Sequence, residues 1–168
     1  MTAPLLAAKD TKWIKDRLVA WINDNAYDLL PDPYFVATGN TRTEFAVGGE
    51  FKLPTLFPKI QVAVGDLDFV RISEGKTGFR RELTHTLNLF YYNKKGHKFV
   101  HSGTEYINGE QSRKYMEMLR DALITHCNDF IEFSIQTYGS IAQARFDNQT
   151  GAWVSFMPVV IRLMTRTV

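Results

Sequence analysis

Between Leu83 and Tyr92 the chain reads LTHTLNLFYY, and this stretch limits the choice of fold more than any other. Leu83, Leu87, Leu89 and Tyr91 share one side of a strand, because successive side chains point to opposite faces. Thr84, Thr86 and Asn88 occupy the other side until Phe90 and Tyr92 make it apolar as well. A strand with one apolar side has to bury it, which demands a sheet with something packed across it. Arg80-Arg81 precede the run, and Lys94, Lys95 and Lys98 follow it. At about 3.3 Å per residue these basic brackets stand roughly 40 Å apart and cannot form one patch. Either they keep the strand soluble and discourage wrong edge pairing, or the strand projects past the domain and its charged ends meet partner subunits.

Two helical patterns can supply the cover. Trp13, Ile14, Leu18, Trp21 and Ile22 predict an amphipathic helix from Lys9 to about Asn25. It should stop before Pro31-Asp32-Pro33, since proline disfavours helical geometry in the residue before it. Tyr115, Leu119, Ala122, Leu123, Cys127, Phe130 and Ile131 predict a second helix from about Glu110 to Glu132, preceded by Asn108-Gly109, with Glu110 at its positive end.

Between them, Tyr34–Thr38 and Thr41–Val47 around Gly39-Asn40 read as a hairpin. Ile60, Val62 and Val64 read as a strand ending at Gly65-Asp66. Asp66 to Arg81 (DLDFVRISEGKTGFRR) reads as an extended loop or a mobile hairpin arm. Asn93 to Gly96 reads as a turn, followed by a polar connection (GHKFVHSG). Ile141–Phe146 and Trp153–Thr165 read as a terminal hairpin around a five-residue turn, 147–151, with Pro158 at a bulge or an edge. The expected fold is α+β over residues 1–168 as a single domain. It is a mixed, mostly antiparallel sheet with two main helices packed on one face, plus a β-hairpin arm.

Charge and motifs narrow the function. Twenty basic against 18 acidic residues, a net charge of +2, are too balanced for nucleic-acid binding by field alone. The single cysteine, Cys127, excludes an intrachain disulfide, and the start MTAPLLAAKDTKW has no secretory pattern, so an intracellular product is expected. No stretch approaches the roughly 18 apolar residues of a spanning helix. Asn148-Gln149-Thr150 matches a glycosylation sequon and reads as a turn.

Gly75-Lys76-Thr77 resembles the end of a phosphate-binding loop, but Val70 stands where the first glycine belongs. His97, His101, His126 and Cys127 are metal-ligand types without convergent spacing. Asp66 and Asp68 lack a third acid or base nearby. No serine, histidine and acid arrangement has local support, and nothing in the sequence activates Cys127. The expectation is no catalytic group, no metal and no cofactor.

The order of the first helix, the strand FPKIQVAV, a long loop, the strand RRELTHTLNLFYY, the helix RKYMEMLRDALITHCNDFIE and the terminal hairpin SIAQARFDNQTGAWVSFMPVVIRLMTR resembles the tail terminator, or tail completion, proteins of tailed bacteriophages. The resemblance covers most of the chain from Lys9 onward and rests on size and element order. It implies a non-enzymatic virion protein of the tail and neck, made in the bacterial host cytoplasm. That protein forms a ring, usually of six subunits, on the last tail-tube ring, stops polymerisation and offers its other face to the neck. The implied partners are further copies of the chain, the tail tube protein, a neck or connector protein, and DNA passing through the channel without sequence-specific binding. No membrane is involved.

A cyclic assembly needs two different complementary surfaces on each subunit. Apolar excess around Phe90, Tyr91, Tyr92, Phe156 and Met157 fits that demand, and fits a dimer too. Within the 66–81 segment, Asp66, Asp68, Arg71, Lys76, Arg80 and Arg81 are the candidate partner contacts. Tyr34–Leu53 is longer and more β-like than the family pattern, which leaves a neck or connector protein open. The reading from another class is a small α+β ligand-binding protein or enzyme, with a pocket between the sheet and the second helix using His85, Tyr91 or His126.

Overall fold

A computed structural model describes residues 11–29, 46–48, 59–75, 78–96, 98–126, 133–149 and 151–167; for 26–29, 46–47, 66–75, 78–83, 136–138 and 163–167 the description is of the backbone. The elements in chain order are α1 (Thr11–Leu29), β1 (Ala46–Gly48), β2 (Lys59–Gly75), β3 (Gly78–Lys94), β4 (Lys98–His101), β5 (Thr104–Ile107), α2 (Asn108–Thr125), β6 (Ser134–Tyr138), β7 (Arg145–Asp147) and β8 (Ala152–Thr167). The main sheet runs β1-β2-β3-β8-β6, with β7 also on β8, and β4 and β5 form a separate two-stranded sheet. Among the described strands only β1 on β2 is parallel. This is the expected α+β class, with a mostly antiparallel sheet and two helices.

The strand alternation decides which face the helices cover. Registered pairs Ile60↔Tyr91, Val62↔Leu89, Leu89↔Met157 and Leu87↔Val159 set apolar side chains in rows across β2, β3 and β8. All are fully buried. Ile14, Leu18 and Ile22, four residues apart on α1, and Tyr115, Met116, Leu119 and Leu123 on α2 complete the same core. Full burial of each such Leu or Ile is worth about 1.5–3 kcal/mol, whereas the exposed Lys12–Asp16 pair at 3.1 Å adds about 0.3–0.5 kcal/mol. Core burial, not surface charge, holds the helices down. Tyr91 stacks on Tyr115 at 4.3 Å between centroids, and its hydroxyl accepts from Gln111 Nε2 at 3.1 Å.

Several expectations change. α1 runs on to Leu29, and its expected start at Lys9 lies outside the described residues. The expected 34–47 hairpin also lies outside them, except that Ala46 and Val47 belong to β1. β2 does not stop at Gly65-Asp66; it passes a register shift between Val64 and Asp68 and continues to Gly75. Of the two readings of the 66–81 segment, the hairpin arm is the one found: it is strand on both sides, paired from Asp68↔His85 to Gly75↔Gly78. Polar alternation hid this strand, because its partner β3 supplies the pairing that its composition does not advertise.

Asn93 and Lys94 belong to β3 rather than to the turn, which is tighter than expected. The connection read as polar is the β4–β5 hairpin, turned at Ser102 (φ 51°) and Gly103 (φ 80°). Two left-handed residues give the turn whose twist suits a two-residue hairpin, and it seats Phe99 in the core. α2 ends at Thr125, capped by the His126 amide on Ala122 O at 3.0 Å; Cys127, Phe130, Ile131 and Glu132 lie outside the described residues. β6 was not anticipated.

In the terminal hairpin, β7 is shorter than expected. Asp147 pairs with Ala152, so the connection is residues 148–151. Residues 139–144 run beside β8 outside the ladder. Pro158 is not at a bulge; on its outer side it is at a local edge, between the stretches of β8 paired with β6 (159–162) and with β7 (152–154). Its carbonyl accepts the Gly139 amide at 2.7 Å. Because a strand residue's N–H and C=O point the same way, its missing amide faces the gap between β6 and β7. Gly139 follows from this contact: a Cβ there would run into the Pro158 ring. Gly139→Ala should cost about 1–3 kcal/mol in urea unfolding, and Pro158→Ala in the same chain should recover part of it. Strictly additive losses in that double-mutant cycle would show that the two residues do not share the constraint.

Candidate interaction surface

The face away from the helices is formed by Gln61 and Ala63 of β2, Asn88, Phe90 and Tyr92 of β3, and Val154, Phe156, Pro158 and Val160 of β8, the positions alternate to the core rows. Phe90 and Phe156 pair across the strands and stack at 5.5 Å with 24° between ring planes. Phe90 also lies 6.3 Å from Tyr92. The five residues expected to form one apolar surplus thus divide by parity. Tyr91 and Met157 are buried under the helices, while Phe90, Tyr92 and Phe156 line the helix-free side.

Residues 142–147 stand beside these rings as a wall, fixed by the Ala142 amide on Phe156 O at 2.9 Å. Wall and sheet enclose an open groove of about 460 Å³ lined by Phe90, Tyr92, Val154, Phe156, Ala142, Gln143, Arg145 and Asp147. Its floor is aromatic and its rim carries one cation and one carboxylate. Tyr92 donates its hydroxyl proton to Gln61 Oε1 at 3.0 Å. Burial, and then the nearby Asp147 carboxylate, push the Tyr92 phenol above its ordinary value. Arg145 and Asp147 were not singled out by sequence reasoning. The one signal available was their place at the start of the DNQTG turn, which closes β7 onto β8 beside Tyr92.

The second surface is the arm. Beyond the register shift, β2, β3 and the end of β8 continue as a three-stranded ribbon, from Asp68↔His85 to Gly75↔Gly78 on one side and from His85↔Ile161 to Phe79↔Thr167 on the other. Asp68 and Arg71 lie on its β2 strand, and Asp66 lies within the shift. Arg80 and Arg81 lie on β3, opposite Ser73 and Ile72 on one side and Arg166 and Thr165 on the other. Lys76 lies outside the described residues. Asp68, Arg71, Arg80 and Arg81 therefore sit on one ribbon, with Asp66 at its base. Lys94 marks the opposite end of β3, paired with Ala152.

Other candidates disperse. His85 and Tyr91, six residues apart on β3, are about 20 Å apart. The His85 ring accepts or donates to Thr11 Oγ1 at 2.7 Å through Nδ1. His126 lies beside Trp21 at 6.1 Å. Around Tyr91 the space between sheet and α2 is filled by the Tyr91–Tyr115 stack and its neighbours, and the cleft of about 630 Å³ that opens between the start of α2 (Asn108, Gly109, Glu110, Arg113) and Gln143, Ala144 and Trp153 is lined by none of His85, Tyr91 and His126. His101 ends β4, while His97 and Cys127 lie outside the described residues. Among the described residues no three His, Cys, Asp or Glu side chains are grouped to hold a metal, and no helix is long and apolar enough to cross a membrane. A comparison with protein-family models finds no match, and a comparison with curated proteins finds none.

The two faces should respond differently to truncation. Leu89→Ala should lower unfolding stability by about 2–5 kcal/mol. Phe90→Ala, one residue on, should cost less; equal losses in the two variants would contradict the division. The phenol gives a pH test. Its raised folded-state value means that the unfolded chain loses this proton first, so its contribution is intact below the ordinary value of 10.0 and is lost as pH rises through the folded value. Stability should fall more steeply above pH 10.0 in the parent than in Tyr92→Phe, and parallel urea midpoints in the two proteins would refute it.

Proposed function

We propose that this chain is a structural protein of a tailed-phage particle that caps the tail tube as a ring, ends its polymerisation and joins the tail to the neck. The observation that carries the reading is one sheet bearing two unlike outer surfaces. An aromatic groove occupies the helix-free face at one end, and a charged three-stranded arm extends from the other. A subunit that meets its own copies around a ring and also docks on a tube and a neck needs unlike surfaces of this kind. Element order adds the resemblance to tail terminators. A neck or connector role in the same particle uses the same surfaces and is the nearest alternative. The groove, within the size range of small-ligand pockets, favours a ligand-binding protein as the reading from another class. A stoichiometric small molecule retained through purification would support that one.

Native mass spectrometry of the purified protein, together with composition analysis of assembled particles, is the test. A closed oligomer that is also present in particles supports the proposal, whereas a strict monomer absent from particles sinks it. The double variant Arg80→Glu, Arg81→Glu changes the arm's charge and should yield particles with detached or abnormally long tails. Its thermal unfolding, compared with the parent's, serves as the folding control. Normal tails and full infectivity would remove the arm from the contact with the tube.

A further inference from the structure

The arm has two outer edges. On one side β2 is covered by β1 only opposite Ile60, Gln61 and Val62, and among the described residues no strand pairs with its outer edge from Ala63 to Gly75. On the other side β6 covers β8 at residues 159–162 and β7 at 152–154, and among the described residues nothing pairs with the outer edge of β8 from Leu163 to Thr167. A long open edge is a template for another strand, and proteins generally cover or blunt it.

We infer that these two edges join in neighbouring copies of the chain, β8 of one against β2 of the next, so that the arms form one continuous sheet around the ring. This rests on the ring reading above and gives it a specific interface. Three observations select a second copy as the occupant. β2 and β8 are each antiparallel to β3, so they run parallel to one another. Copies related by rotation about an axis along the arm then meet β8 to β2 in parallel, head to tail, which is the heterologous contact that closes a ring.

The edges also lie at the same height. Ser73 is level with Arg80, and Arg80 is level with Arg166. Finally, their charges are complementary by sequence. Asp66 to Gly75 carries Asp66, Asp68 and Glu74 against Arg71 alone, whereas Leu163 to Thr167 carries Arg166 and no acid. The shared ladder is limited by the shorter edge, the five residues Leu163–Thr167. Main-chain hydrogen bonds of that added strand supply affinity, and the charge difference disfavours pairing β2 with β2.

Cross-linking tests this directly. Within one chain, Ser73 and Thr165 are separated by β3, about 9.6 Å at two strand spacings, beyond the reach of a disulfide. Any bond between cysteines placed there therefore joins two chains. In a Cys127→Ala background, Ser73→Cys or Ile72→Cys would be combined in turn with Leu163→Cys, Thr165→Cys and Thr167→Cys, covering both faces of the ribbon. Oxidised samples should give a covalent ladder that stops at the subunit number found by native mass spectrometry, while each single-cysteine chain should give none.

Backbone amide exchange supplies a second measure that needs no substitution. Residues 66–75 and 163–167 should slow at least tenfold in the assembled form relative to dilute monomer. A closed ring without the ladder and without that protection overturns edge pairing and leaves the ring reading standing. Dimers from Ser73→Cys alone overturn it in favour of β2 against β2, a monomer without ladder overturns both, and a ladder running past any ring size keeps the edge pairing but removes the closed ring.

Discussion

The architecture depends on β3 having two full-length neighbours. From Phe79 to Lys94 every residue of this strand is paired with β8, and from Gly78 to Tyr92, except Thr86 at the shift between Val64 and Asp68, it is paired with β2. These are the most extensive pairings in the fold, and they set both face and height for everything else. Because side-chain direction alternates strictly, fixing Leu89 against Val62 and Met157 commits Phe90 to the opposite face with Phe156. A slip of one residue would exchange the two. The core rows resist it, since α1 and α2 bury Leu87, Leu89 and Tyr91 completely and would otherwise receive Asn88 and Phe90.

That commitment has an energetic consequence at each end of the strand. Where the helices lie, the ladder is backed by packing, and the Tyr91–Tyr115 stack with its Gln111 hydrogen bond ties the strand to α2 through a ring and a polar contact together. Asn93 and Asn108 extend the tie: Asn93 Nδ2 donates to Asn108 O at 3.2 Å, and Asn108 Oδ1 accepts from the Gly96 amide at 2.8 Å. Toward Gly75 and Phe79 the ribbon continues as a backbone ladder past Thr84 and His85, whose side chains are buried. Such a ribbon gains most from adding a strand, because each new ladder bond restrains backbone that is otherwise held from one side only.

The amphipathic elements were legible in the sequence because their physics is local. Ile14, Leu18 and Ile22 announce the first helix through spacing alone, and Leu87, Leu89 and Tyr91 announce the strand. What escaped was decided by partners distant in the chain. Asp66–Gly75 has a polar, charged composition that leaves loop and hairpin arm undecided, and it is strand because β3 lies alongside it. Ser134–Tyr138 is strand because β8 offers an open side there. Pro158 looked incompatible with an interior strand, and it is accommodated because its neighbour Gly139 sits outside the ladder and can approach closely. The groove was half legible: Phe90, Tyr92 and Phe156 were visible as surplus apolar residues, but Arg145 and Asp147 reach them only through the closing of β7 onto β8.

The two surfaces also differ in how they can recognise anything. The groove offers side chains, an aromatic floor with a single cation and carboxylate on its rim, and so selects by shape and apolar area. The arm offers backbone on both edges and selects by direction and height, with its charges choosing which edge meets which. Recognition by backbone tolerates sequence change and rewards repetition, since each added copy presents the same pair of edges again. Recognition by an aromatic groove is specific to one partner and ends with it. The proposed ring subunit, repeating around an axis and attaching to something unlike itself, would use both kinds. In this chain one alternating strand supplies them, with Phe90 and Tyr92 on its groove side and Arg80 and Arg81 in its arm.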